Sequence, residues 1–264
     1  MRTVLLTSGS QGARPSARAV ATARLGQAKA STSALDAPPP ASGEVFRTAL
    51  PDTFDGIRFE IGRMRKYVQA VKGDPWMAAF ARQVCQNYSR LASTLEGADR
   101  DPRVLFCEAL DLWCRDHYAY VNDPPNIEVI QTPKRMVKQT MVPSAVVKSI
   151  MAPFFEEFSA ASPNYHVEGY EPPPQYFGDC DEAVCCFLGL CVAMPSSGQP
   201  SMNGEGEEPV GCYFRFGGND GTLHHVWARV KVGDRDIDAD HTEPGYKIGD
   251  YSKFEAYESA EVPL

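Results

Sequence analysis

The sequence predicts an α+β fold, helical in its first part and ending in an antiparallel sheet. Three observations carry that expectation. Apolar residues recur at helical spacing from Ile57 to His117. A capped apolar run extends from Gly178 to Met194. Beyond it, residues 210–240 alternate apolar and polar side chains and contain a two-residue turn, Gly233-Asp234.

Residues 1–51 are rich in Ala, Ser, Gly, Pro and Arg. They hold no acid before Asp36 and include Arg2, Arg14, Arg18, Arg24 and Lys29. Such a composition buries too little apolar surface to offset the entropy of ordering, so a disordered tail is expected. It would serve as an arm that docks on a partner or, being Arg-rich and acid-poor, as an organellar transit peptide.

Residues 57–71 form the first expected helix, with Ile57, Ile61, Met64, Tyr67, Val68 and Val71 on one stripe, broken by Gly73-Asp74-Pro75. Residues 76–95 form the second, on Met77, Phe80, Val84, Tyr88 and Leu91. The turn Gly97 to Pro102 introduces a third helix over 103–117, which runs into a loop at Val121-Asn122-Asp123-Pro124. These stripes read as core. Residues 133–139 form a short helical piece, and residues 143–158 an amphipathic helix that Pro153 should kink or end.

Asp179 can cap the next helix, with Glu182 three residues on as its capping-box partner. Cys180 then lies in the first turn, where unpaired N–H groups and the helix dipole favour the thiolate. Residues 195–209 read as a surface loop. Strands are expected over 210–216, 224–232 and 235–240.

With 264 residues and 43% hydrophobic content, the chain can bury a sizeable core as one large domain or two small ones. A net charge of −8 argues against a general nucleic-acid binder, which needs a basic face. Val4-Leu5-Leu6 is too short for a secretory h-region, and no stretch is apolar enough to span a membrane. Several of the eight cysteines lie in apolar helical runs, so a reducing compartment is expected: the cytoplasm, or a virion. No C-x₂-C pair supports a zinc site, and no metal or cofactor is expected.

A cysteine nucleophile needs a base and a group to orient it. With a two-residue turn at Gly233-Asp234, Arg229 faces Asp238 and Trp227 faces Asp240. Both aspartates then share a sheet face with His225, Asp240 being nearer; a three-residue turn would put them on the other face. Val226, Ala228, Val230 and Val232 form the apolar face, and His225, Trp227, Arg229 and Lys231 the polar one. His225 is the expected base and His224 its competitor. Asp179 and Asp181 work against a thiolate, so the helix terminus and an imidazolium must outweigh them.

Gly178-Asp179-Cys180-Asp181, His225-Val226-Trp227 and Asp240-His241-Thr242 resemble, in order and spacing, the three blocks of the transglutaminase-like superfamily within the papain-like cysteine peptidase fold. Gly56-Ile57, Met64, Trp113-Cys114-Arg115-Asp116-His117, Tyr120-Val121-Asn122-Asp123-Pro124, Glu128 and Gln131-Thr132-Pro133 resemble the helical lead-in of its bacterial and bacteriophage members. The chain departs from that pattern at Glu182, where a second Asp is common, and over residues 140–176, which look like an insertion.

The resemblance implies one domain over 52–264. It divides into a helical lead-in at 52–139, the insertion at 140–176, a catalytic core at 177–250 and a C-terminal tail at 251–264. It implies a cysteine at a helix N-terminus packed on an antiparallel sheet, with Cys180 as nucleophile, His225 as base and Asp240 as orienter. The Asp-x-Thr match favours Asp240, and Asp238 stays as the alternative orienter. The chemistry implied is acyl transfer at an amide of a protein or peptide, by hydrolysis or by cross-linking. The oxyanion would be held by the Cys180 N–H and a second donor, Gln175 or Tyr176. The competing expectation is an assembly protein, for instance of a phage particle, that keeps the fold and docks through its N-terminal arm.

Overall fold

Two signals explain where the second and third helices begin. In the computed structural model, Asp74 precedes helix α2 (Pro75–Ala92), and its carboxylate accepts the N–H groups of Trp76 and Met77. Asp101 does the same for Arg103 at the head of α3 (Pro102–His117). Proline stands at the first helical position of both, where its missing N–H leaves nothing unpaired. Helix α1 (Phe54–Gln69) comes before them, and the chain leaves it through Gly73, whose φ of 74° suits glycine. The described residues are 45–48, 54–94, 101–123, 128–152, 175–194, 211–218, 225–242, 248–249 and 255–262. All belong to one compact unit, Ser33–Leu264.

Met64 and Val68 of α1, Met77, Ala81 and Val84 of α2, and Cys107, Leu110 and Trp113 of α3 are buried, as their helical spacing predicts. Phe80 meets Trp113 edge-on at 5.2 Å. Two short helices follow: α4 (Pro133–Gln139), capped by Thr132, and α5 (Ser144–Met151). The amphipathic helix expected over 143–158 is thus seen to Met151, and residues from Pro153 lie outside the described set. Among the described residues no helix is long and apolar enough to cross a membrane.

Helix α6 (Cys180–Ala193) is the centre of the fold. Its residues from Asp181 to Ala193 are all buried, which is why its apolar residues do not keep to one face. It packs against α1, α2, α3 and α4 and against the main antiparallel sheet. Gly189 lets α4 come close, since a Cβ there would meet Pro133 Cγ at 2.5 Å. Gly189→Ala is therefore expected to cost about 1–3 kcal/mol of stability. Urea titration should show a lower midpoint with an unchanged slope.

Eight strands complete the described fold. β1 (Val45–Thr48) pairs antiparallel with β3 (Glu128–Gln131), and β2 (Tyr118–Tyr120) pairs parallel with β4 (Tyr176–Gly178). The main sheet has the order β7-β6-β5-β8, all antiparallel, with β5 (Gly211–Gly218), β6 (His225–Val232), β7 (Arg235–Ala239) and β8 (Glu255–Val262). The β6–β7 register pairs Val232 with Arg235 and Arg229 with Asp238, as a two-residue Gly233-Asp234 turn dictates. Gly233 has φ 60°. The architecture is α+β, with helices preceding an antiparallel sheet.

Four expectations need correction. Val45–Thr48 belongs to a strand although residues 1–51 read as a tail; the rest of that tail lies outside the described residues. Glu255–Val262, within the expected C-terminal tail at 251–264, forms an edge strand of the main sheet. An edge strand takes its order from one hydrogen-bonded neighbour, so Glu-Ala-Tyr-Glu-Ser-Ala-Glu-Val carries little apolar alternation. β2, β3 and β4 fall outside the strands expected from the sequence, because their partners are distant in sequence. Finally, Trp227, assigned to a polar face, is only 1% exposed: both faces of β6 are covered there.

Candidate active site

The chain leaves β4 at Gly178 and enters α6 at Cys180, with Asp179 as the cap between them. Asp179 Oδ1 accepts the Asp181 N–H at 3.0 Å, and Glu182 Oε2 accepts the Asp179 N–H at 3.1 Å, completing the capping box. A Cβ on residue 178 would lie 2.6 Å from Glu182 Oε2, so this close approach requires glycine. Glu182 Oε1 accepts the Gln131 N–H at 3.1 Å, tying the helix start to β3. Gln131 in turn donates to the Phe177 carbonyl at 2.7 Å, and Gln139 donates to Gln131 Oε1 at 2.6 Å. Tyr118 donates to the Asp179 carbonyl at 2.9 Å. A satisfied buried network of this kind fixes one backbone geometry, here beneath Cys180.

Cys180 keeps part of its surface exposed, whereas the other seven cysteines are buried. Its sulfur lies near the Val226 backbone N–H, at the start of β6 and one residue along from His225. It also donates weakly to Asp181 Oδ1 at 3.7 Å. His225 Nε2 meets Asp240 Oδ2 at 2.8 Å. The other oxygen of Asp240 accepts the Thr242 N–H at 3.2 Å and the Thr242 hydroxyl at 2.8 Å. Burial raises the Asp240 carboxyl, but His225 and these Thr242 bonds outweigh it and hold it below the usual range. With Nε2–H donating to that carboxylate, Nδ1 is the ring's acceptor. Trp227 stacks on the His225 ring at 6.0 Å and 19°. Its indole N–H is buried without a partner among the described residues.

The remaining sequence candidates fall elsewhere. Asp238 holds Arg229, at 2.6 Å to Nε and 3.0 Å to Nη2, and it is Asp240 that meets His225. The register already pairs these two residues, and the long arginine reaches across to the carboxylate before the imidazole can. Gln175 donates its amide to the Tyr118 carbonyl at 3.1 Å, which leaves one N–H for any other role. Tyr176 is fully buried, stacked near Trp113 at 6.3 Å. His224 lies outside the described residues.

The thiol's electrostatics run against the helix terminus. Burial, then Asp179 and Asp181, push the Cys180 thiol well up, and the Val226 N–H pulls it only part of the way back. Cys180 therefore rests as a thiol. Around it lies a group of acids that sequence reasoning missed: Glu60 on α1, Asp123 and Glu128. Burial raises all three, Glu60 to about 8 and Asp123 and Glu128 each to about 10. Neighbouring carboxylates add to each rise. Oxygens of Glu60, Glu128 and Asp181 lie within 4.8 Å of one another. Such a set can share protons or hold a hard cation, and acidic groups at this spacing are common without one. Asn122-Asp123-Pro124 and Glu128 stand out in sequence, but nothing local brings them to Asp181.

A thiol, an imidazole and a buried carboxylate are the groups that acyl transfer uses, the imidazole moving one proton off sulfur and on to a leaving group. No family model matches the chain, and neither a curated protein nor a solved structure matches it.

Proposed function

We propose that the chain is a transglutaminase-like cysteine hydrolase or acyltransferase that acts on an amide of a protein or peptide. One observation carries the reading: the 2.8 Å contact of His225 with Asp240 stands near a cysteine whose sulfur is close to the backbone N–H of the residue following that histidine. The papain-like core is supported by the same placement, a cysteine opening a buried helix with His and Asp on adjacent strand ends.

Because Cys180 rests as a thiol, His225 acts as a general base during attack. Its Nδ1 takes the thiol proton as sulfur bonds to the substrate carbonyl carbon. The oxyanion is held by the Cys180 N–H, one of the unpaired donors of the helix start, and by a second donor such as Gln175. The imidazolium then gives its proton to the departing amine, leaving a thioester. Water, or a second amine, enters with His225 as base again, and Cys180 recovers its proton.

The direct test is labelling with a thiol-directed electrophile. Label is expected on wild type and Cys185→Ala and is expected to be lost in Cys180→Ala. Equal labelling of the two variants would remove the reactive-thiol claim. A second reading, a fold-retaining assembly protein without turnover, is favoured by the carboxylates that raise the thiol. It predicts that His225→Ala leaves the labelling rate of Cys180 unchanged.

A further inference from the structure

Helix α3 buries three charged residues, Glu108, Asp111 and Arg115, that its apolar stripe does not explain. Asp111 and Arg115, one turn apart, are 3% and 7% exposed. Arg115 Nε donates to Asp111 Oδ2 at 2.8 Å, and Arg115 Nη2 donates to the Asp240 backbone carbonyl at 2.7 Å. His241, whose side chain is fully buried, brings Nε2 to 3.1 Å from Asp111 Oδ1 and packs its ring 5.0 Å from that of Phe187 on α6. Burial works to raise the Asp111 carboxyl, but Arg115 and His241 outweigh it and hold it well below the usual range.

A buried ion pair is weak evidence for stability, since apolar residues of similar volume often replace one without loss. Its retention here points to geometry. The ladder between β6 and β7 ends at Ala228–Ala239, so the Asp240 carbonyl has no strand partner in it. Arg115 supplies the donor. Asp240 is then held at its backbone by α3, at one carboxylate oxygen by Thr242, and at the other by His225. The next residue, His241, lies between Asp111 of α3 and Phe187 of α6. Reaction geometry is steep: misplacement by about 1 Å can cost about a hundredfold in rate.

We infer that Arg115, held by Asp111, is a positioning residue for the reaction: it fixes the Asp240 backbone so that its carboxylate meets His225. The inference rests on the proposed catalytic role of Cys180, His225 and Asp240.

The test uses the full chain and the double variant Asp111→Leu/Arg115→Met, which removes the clamp and its charges together. Two quantities are read, each against a His225→Gln control: the rate of Cys180 alkylation by iodoacetamide, and the hydrogen-bonded ring N–H signal of His225 in nitrogen-edited proton spectra. In wild type the signal is expected, and it is expected to vanish in His225→Gln, with slower alkylation. In the folded double variant the signal should weaken or vanish and alkylation should slow by about tenfold or more. A folded double variant that keeps both signal and rate overturns the positioning role and leaves the catalytic reading standing. Wild type and His225→Gln reacting at one rate would overturn both. Should the double variant not fold, Arg115→Lys replaces it, with the same readings; it keeps the charge but loses the planar fork that reaches both acceptors.

Discussion

Asp240→Asn is expected to slow Cys180 chemistry by about a thousandfold or more, as the loss of an orienting carboxylate does in comparable sites. Asp238→Asn is expected to leave it within a few fold. The reason lies in the proton map. Ionised Asp240 accepts from His225 Nε2, which leaves Nδ1 with a lone pair for the thiol proton. An amide at 240 presents an N–H in place of an acceptor, or keeps its oxygen there without the charge that steadies the imidazolium. In the first case Nε2 must accept, and the proton moves to Nδ1, where the base is needed. Asp238→Asn instead weakens a partly exposed contact with Arg229, whose other neighbour Asp236 remains. Alkylation rates of the two variants, with thermal midpoints measured alongside, separate the roles. A larger rate loss in Asp238→Asn would show that the orienter had been assigned to the wrong aspartate.

The two-residue turn at Gly233-Asp234 pairs Arg229 with Asp238, and parity then puts both Asp238 and Asp240 on the face of His225. Asp240 could be preferred from the sequence because that register sets it nearer to His225 and because Asp240-His241-Thr242 carries the Asp-x-Thr match. The capped start of α6 was equally legible, since Asp179 and Glu182 satisfy each other within one turn. What was hidden depends on residues that meet across long stretches of chain. Tyr118 pairs with Tyr176, and Glu60 and Glu128 converge on Asp181, without any local period to announce it. Asp111 and Arg115 are opposite charges at i and i+4, but the same helix also carries Arg103, Glu108 and Asp116, so nothing local marks the pair out. Only the fold reveals that the second reaches Asp240. The thiol illustrates the same limit. A helix N-terminus favours a thiolate, but how far Asp179 and Asp181 oppose it depends on burial, which local sequence does not contain.

Stability is expected to fall as pH rises from about 5 to about 9, opposite to the behaviour of a protein dominated by salt-bridged carboxylates. In the unfolded chain Glu60, Asp123 and Glu128 lose their protons near the ordinary values of 4.5, 3.8 and 4.5. In the folded chain they hold them to about 8, 10 and 10. Between those limits the folded state binds more protons, so raising the pH favours unfolding. The contribution is fully present below the unfolded values and is lost as pH passes through the folded ones. The slope cannot exceed about 1.4 kcal/mol per pH unit for each proton taken up on folding. Asp74, Asp101, Asp111 and Asp240 act in the other direction, because their folded values are lowered. Their contribution is present above the ordinary carboxylate range and is lost as pH falls through the folded values. Maximum stability should therefore lie near about pH 5, where the second group is ionised and the first still protonated. Glu128→Gln keeps a neutral polar side chain in place without a proton to lose. It should match wild type near about pH 5 and exceed it by on the order of 1–2 kcal/mol near about pH 8, with a shallower slope between. Urea titrations of both proteins across this range decide the matter. A wild-type stability that climbs from pH 5 to 8, unchanged in slope by Glu128→Gln, would mean that the acids beside Cys180 are already ionised and held by positive charge.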